Sequence, residues 1–461
     1  MDAERAERHL RLLAEAELRH VLTKAGGGEV QPAVRAIGRL GRVGGALVAA
    51  GAIDPVRVET ISAQFKTAIG VRGFQPPGLG LHLGRSQRFR SAPVAAVTAR
   101  AAAGPKPDGA GMTVVPVGTM LPFRGDDAHG EVYFLSLVRT GGKARIPAVV
   151  RVRRPPSGPV MAPVRAHIMP PQVLSATDDA GRPCNLVFSG GGHADAWQGH
   201  FDVSPAPARG ARWLRVTSGD NTVQIDLTAR PAASGLTAEP VPATPGERLI
   251  DALAESIIVG TALGVRLPAQ PGDRAGDIVA ALEAAGALSP FSPAPARLAA
   301  LCQRLDIDTH GITVPPAADL PRPWTDVIAY YGRRHKPPAR SGIAALPVLL
   351  PAIDGARFGL AGLHAQDDQT VVQLVATGLG HTQFRSGPTV YFGSSWWLRD
   401  NAGHWHVAVT HDWTSDGTGQ HCLGLRVYPP LGRTVTSLEL NVTGATTRVR
   451  AHLPVSWWAA P

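Results

Sequence analysis

Cysteine is scarce in this sequence: Cys184, Cys302 and Cys422 are the three among 461 residues. They are odd in number, widely spaced and form no Cys-Xaa-Xaa-Cys pair. That argues against a disulfide framework and against a zinc knuckle. Free thiols in a reducing, cytoplasmic setting are expected. Charged residues make up 18 % of the chain, below the roughly 25 % of an average soluble domain. No run approaches about 18 uninterrupted apolar residues, so no membrane span is expected. The start, Met1-Asp2-Ala3-Glu4-Arg5, lacks the apolar core of a secretory signal.

Catalytic signatures are missing too. The sequence has no P-loop, no Gly-Xaa-Ser-Xaa-Gly elbow and no His-Glu-Xaa-Xaa-His. Gly78, Gly80 and Gly84 do not keep dinucleotide-binding spacing and follow Pro76-Pro77 rather than a strand. Paired acids such as Asp126-Asp127, Asp178-Asp179 and Asp367-Asp368 fall in expected turns, where carboxylates serve their own backbone. No residue is assigned as catalytic, and no cofactor is expected.

Glycine and proline, at 52 and 41 residues, are plentiful. They favour short strands and many turns. An apolar fraction of 44 % suffices for a sizeable core, and the length suits several domains.

The pattern that organises the chain is a repeat. Residues 46–55, Ala-Leu-Val-Ala-Ala-Gly-Ala-Ile-Asp-Pro, return as residues 281–290, Ala-Leu-Glu-Ala-Ala-Gly-Ala-Leu-Ser-Pro, with seven of ten identical. In each, a glycine closes one helix, and Asp54 or Ser289 caps the next ahead of a proline. Before the first copy, Leu10, Leu13, Ala14, Leu18, Val21 and Leu22 form one apolar helix face. Before the second, Thr244-Pro245-Gly246-Glu247 reads as a capping box.

Strand-like segments recur in the same order. Asp178 to Gly181 matches Asp400 to Gly403, Phe201 to Pro205 matches Leu425 to Pro429, and Leu214 to Val216 matches Leu438 to Leu440. Val223 to Leu227 matches Thr447 to Ala451, and Val115 to Val117 pairs with Leu346 to Val348. The collinearity carries the argument. Period-two alternation with turn signals between predicts antiparallel strands.

The expected fold class is therefore α+β and multidomain. It is a tandem duplication of a small helical hairpin followed by an antiparallel, immunoglobulin-like β-sandwich. The expected domains are an N-terminal helical segment over 1–75, a first sandwich over 112–232, a second helical segment over 244–310 and a second sandwich over 341–461. A Pro-rich stretch holding Trp324, Val327 and Ile328 predicts a short helix packed on a sandwich.

Two features hint at a site, both in the second copy. His404, His406 and His421 offer imidazoles for a divalent metal such as zinc, with His404 and His406 on one strand face. Polar rings on an edge strand are the plainer explanation. Trp396, Trp397, Trp405, Trp457 and Trp458 offer a binding surface. Adjacent Trp396-Trp397 and Trp457-Trp458 each direct one ring outward if both lie in strands, unless one ring is core and the helical hairpin covers the other.

The net charge of +10 permits nucleic acid as a partner. Its short clusters, Arg85 to Arg90, Arg151 to Arg154 and Arg333 to Lys336, form no long basic block. The leading expectation is a non-enzymatic cytoplasmic interaction or scaffold protein with a protein partner. The alternatives are a metal-dependent protein using the histidines, and a nucleic-acid binder driven by charge.

Overall fold

The computed structural model describes residues 2–24, 31–70, 111–124, 129–153, 171, 173–193, 196–230, 236–263, 275–307, 311–317, 319–332, 342–366, 369–379, 394–415, 420–444 and 446–458. The Gly78 to Gly84 stretch, the Arg85 to Arg90 and Arg333 to Lys336 clusters, Arg154, and the acid pairs at 126–127 and 367–368 lie outside them.

The chain divides into two compact units, each drawing on both halves of the sequence. The four segments expected as successive domains thus condense two and two: helices with helices, strands with strands.

The helical unit holds α1 (Ala3–Lys24), α2 (Gln31–Ala49), α3 (Pro55–Gly70), α4 (Pro245–Leu263), α5 (Ala275–Ala284) and α6 (Pro293–Arg304). Along α1, Ala6, Leu10, Ala14 and Val21 are buried, the stripe that a 3.6-residue period demands. Gly51 and Gly286 end α2 and α5 with φ of 68° and 65°, a left-handed turn that spares glycine the usual steric cost. Asp54 caps α3 by accepting from Val56 N at 2.7 Å. The Thr244–Glu247 box is reciprocal: Thr244 N donates to Glu247 Oε2 at 2.7 Å, and Glu247 N donates to Thr244 Oγ1 at 3.2 Å.

Ser289 is not the cap that was expected of it. Ser289 accepts from Phe291 N within a turn, and α6 begins at Pro293, capped by Ser292. Ser292 Oγ also donates to Glu247 Oε1 at 2.7 Å, which ties this cap to the start of α4. Arg39 on α2 joins the halves, donating to Asp277 on α5 at 2.7 Å through Nε and also bonding Glu17 on α1.

The strand unit holds two antiparallel sheets. The first comprises β1 (Thr113–Arg124), β2 (His129–Thr140), β3 (Lys143–Arg153), β4 (Val173–Asp178), β5 (Pro183–His193), β6 (Ala196–Ser204), β7 (Trp213–Ser218) and β8 (Asn221–Asp226). The chain then gives β9 (Thr237–Pro240), helix α7 (Arg322–Gly332), β10 (Gly342–Leu349), β11 (Arg357–Gln366), β12 (Gln369–Thr377), β13 (Ser395–Asp400), β14 (Trp405–Ser415), β15 (Gln420–Tyr428), β16 (Ser437–Thr443), β17 (Thr447–Pro454) and β18 (Trp457–Trp458).

The first sheet runs β1-β2-β3-β6-β5-β4-β7-β8. The second runs β18-β10-β11-β12-β15-β14-β13-β16-β17-β9. Between its two edge strands it repeats the order of the first, strand for strand. Strands β1 and β8, at opposite ends of the first sheet, come together, so this sheet curls around one core. Phe134, Phe201, Leu186, Ile146 and Leu214 fill that core with no exposed surface. Phe201 meets Phe134 and Phe188 at ring-centroid distances of 5.7 and 5.1 Å.

The outer face of β2 and β3 is buried as well. Tyr133, Leu135 and Val149 pack against Ile343 and Ala361 of the second sheet. Nearby, Met112, Val114 and Val138 meet Val375. The sandwich-like layering is therefore sheet on sheet, one curled ladder backed against the other. No described helix is long and apolar enough to cross a membrane.

Candidate functional site

The predicted histidines separate. Asp400 closes the β13–β14 hairpin: its Oδ1 accepts from Ala402 N at 2.9 Å and His404 N at 2.8 Å. His404 Nδ1 lies 3.2 Å and His406 Nε2 3.6 Å from Asp400 Oδ2. His406 is buried and donates through Nδ1 to Pro429 O at 2.7 Å. Burial works to raise the Asp400 carboxyl. The adjacent His406 and His404 rings and the His404 backbone N–H outweigh it and hold the group well below the usual carboxylate range.

Asp178 serves the first sheet in the same way. It accepts from Ala180 N and Arg182 N, and Arg182 takes the place beside the carboxylate that His404 takes in the second. Both histidines are thus accounted for as partners of a hairpin carboxylate.

His421 stands elsewhere. Its partner across the ladder is Ser415, nine residues along β14 from His406, or roughly 30 Å of strand. Among the described residues no group of three or more His, Cys, Asp or Glu side chains is arranged to hold a metal ion. The side chains of His411 and Asp412 lie outside the described set.

The tryptophans are mostly enclosed. Trp396 and Trp397 are both buried, although consecutive strand residues face opposite sides. Trp396 meets Phe358 edge-on at 5.2 Å. Trp397 meets Trp405 at 6.5 Å, and α7 packs against β14, burying its own Trp324 and Val327. That helix is the Pro-rich segment expected to pack on a sandwich. Trp457 donates to Val435 O at 2.7 Å. Trp458 stacks on Tyr133 at 5.7 Å in the seam between the sheets. Trp396 and Trp397 are therefore packing, while Trp405, Trp457 and Trp458 are half-buried.

That seam also holds a polar cluster which no motif marked. Outward-facing Arg145 on β3 and His200 and Asp202 on β6 come together with Cys422 on β15. Arg145 Nε donates to Asp202 Oδ1 at 2.7 Å, and its guanidinium reaches Cys422 Sγ at 3.7 Å. His200 Nε2 lies 3.6 Å from Asp202 Oδ2, and Cys422 is among the neighbours that raise the ring. Arg145 and His200 are buried, whereas the Asp202 side chain is 47 % exposed. Burial alone lowers His200, but Asp202 and Cys422 prevail and push it up to about 9. The Asp202 carboxyl is correspondingly lowered against its own burial.

Protein families, curated proteins and solved structures give no match to this chain.

Farther along the same seam, Gln198 Nε2 and His364 Nδ1 are 2.6 Å apart. Burial, aided by repulsion from Arg151, pushes His364 down to about 3, so its ring is neutral and accepts from the amide. One signal for the cluster lay in the sequence: His200-Phe201-Asp202 alternates and so places imidazole and carboxylate on one face. The thiol 220 residues later (422 − 202) carries no such signal.

Proposed function

We propose that the chain is an internal duplication acting as a non-enzymatic interaction protein, with a protein partner engaged by its helical unit. The recurring strand order, the left-handed glycines at 51 and 286 and the paired hairpin aspartates at 178 and 400 support the duplication. The repeating β module differs from an immunoglobulin-like sandwich, whose strands divide between two separately bonded sheets; here they form one ladder.

One observation carries the interaction reading. Directly after Asp54-Pro55 and Ser289-Pro290, the two copies expose an apolar side chain at matching positions. Val56 is 46 % and Phe291 is 96 % exposed. A phenylalanine ring left in water forgoes roughly 2 kcal/mol of burial that a partner's pocket recovers, and aromatic anchors dominate interface energetics. Both apolar residues sit beside a capped helix start, which fixes their direction.

Affinity purification of the native protein against Phe291→Ser tests this. A defined partner retained by the native chain and lost from the variant is expected. Identical co-purifying proteins from both would contradict the reading. The residue is fully solvated, so the helical signal and melting temperature stay unchanged.

A further inference from the structure

We propose that Cys422 is a hydroperoxide-reactive thiol, with Arg145, His200 and Asp202 forming its reaction site in the seam between the two β-sheets. This goes beyond the interaction reading and does not depend on it.

Four observations converge. First, the Arg145 guanidinium lies 3.7 Å from the sulfur and shares Asp202 with the His200 ring. Thiolate, not thiol, is the nucleophile. Second, Asp202 accepts from Arg145 and pairs with His200, which fixes both side chains. Third, Cys422 is partly exposed whereas Cys184 and Cys302 are buried. The half-exposed Asp202 beside it marks a side open to solvent.

Fourth, the surroundings hold polar groups with nothing to bond. Gln420 is 3 % exposed, and both atoms of its amide lack a hydrogen-bond partner among the described residues. It stands two residues from Cys422 on the same face of β15, because side chains alternate. Thr140 Oγ1 is likewise buried without a partner. It shares a face with Val138, which packs on Val375, the ladder partner of Cys422. Buried polar groups without partners are costly. A small molecule carrying both donor and acceptor oxygens would satisfy them, and a hydroperoxide is such a molecule.

The step balances without a metal or cofactor. The Cys422 thiolate attacks the terminal oxygen of ROOH. An S–O bond forms and the O–O bond breaks. The sulfur loses two electrons and becomes sulfenic acid, and the peroxide is reduced. The departing alkoxide takes its proton from the His200 imidazolium and leaves as ROH. Arg145 holds the charge that develops on the peroxide oxygens.

The test uses the full chain. Sulfenic acid formed by hydrogen peroxide is trapped with dimedone and located by mass spectrometry, with glutathione as the free-thiol reference. In parallel, alkylation by iodoacetamide is timed. Cys422 is expected to outpace glutathione by about tenfold or more with peroxide, and by clearly less with iodoacetamide. His200→Asn and Asp202→Asn are expected to remove most of the peroxide advantage. Peroxide reactivity no greater than that of glutathione overturns the proposal. So does an equal advantage for both reagents, or an advantage that survives both substitutions. The comparison of native protein with glutathione needs no variant and decides the proposal even if a substitution unfolds the chain.

Discussion

Phe201→Ala is expected to destabilise the strand unit by about 3–5 kcal/mol, the usual cost of emptying a fully buried aromatic site. Phe201 has no exposed surface and sits between Phe134 and Phe188. It faces the interior of a sheet whose strands come from all along the first half. The cavity therefore opens where little can move in to fill it. Under the proposed duplication its counterpart is Leu425, 1 % exposed on β15. Leu425→Ala is expected to cost about 2–5 kcal/mol. Chemical denaturation followed by tryptophan fluorescence measures both. A loss below about 1 kcal/mol for either would mean that its side chain is not enclosed.

The second large effect is a stability maximum near pH 6.5, set by two histidines in the seam that shift in opposite directions. His200 rises from 6.5 to about 9 on folding. Its contribution is fully present below pH 6.5 and is lost as pH climbs through 9. The shift corresponds to something on the order of 3 kcal/mol. His364 falls from 6.5 to about 3. The folded state therefore resists a proton that the unfolded chain accepts, and stability is lost as pH drops below 6.5. Denaturation midpoints across pH 4–9.5 should fall on both sides. His200→Gln should flatten the alkaline limb and His364→Gln the acid limb. An alkaline limb as steep in His200→Gln as in the native chain would contradict the assigned contacts.

Local chemistry was readable in the sequence. The Thr244–Glu247 box, Gly51, Gly286 and the Asp178 and Asp400 turns all depend on residues within a few positions of one another. The recurring strand segments fall on β6 and β15, β7 and β16, and β8 and β17, because alternation marks a strand whatever its partner. Ser289 misled because the cap moved one turn on: Ser292 has Glu247 to bond, and Ser289 stays in the turn. Trp396 and Trp397 are both buried although alternation sends one ring to each side, so both faces of β13 are covered there. His404 and His406 gather at Asp400 while His421 lies opposite Ser415, so the three imidazoles do not meet.

The seam cluster was beyond reach. It needs Arg145, His200 and Cys422 together, and only the docking of the two sheets provides that. The same holds for Arg39 with Asp277 and Gln198 with His364. Each pair joins residues that periodicity cannot connect.

If the chain is a duplication whose halves assemble like with like, helical hairpin with helical hairpin and sheet with sheet, its two halves should find each other when separated. Splitting the chain within residues 231–235 and co-expressing the two pieces tests this, by size-exclusion chromatography with mass detection. A 1:1 complex is expected, with each piece alone poorly folded because its sheet back and helix faces are uncovered. Two pieces that fold separately, elute as monomers and ignore each other would contradict it.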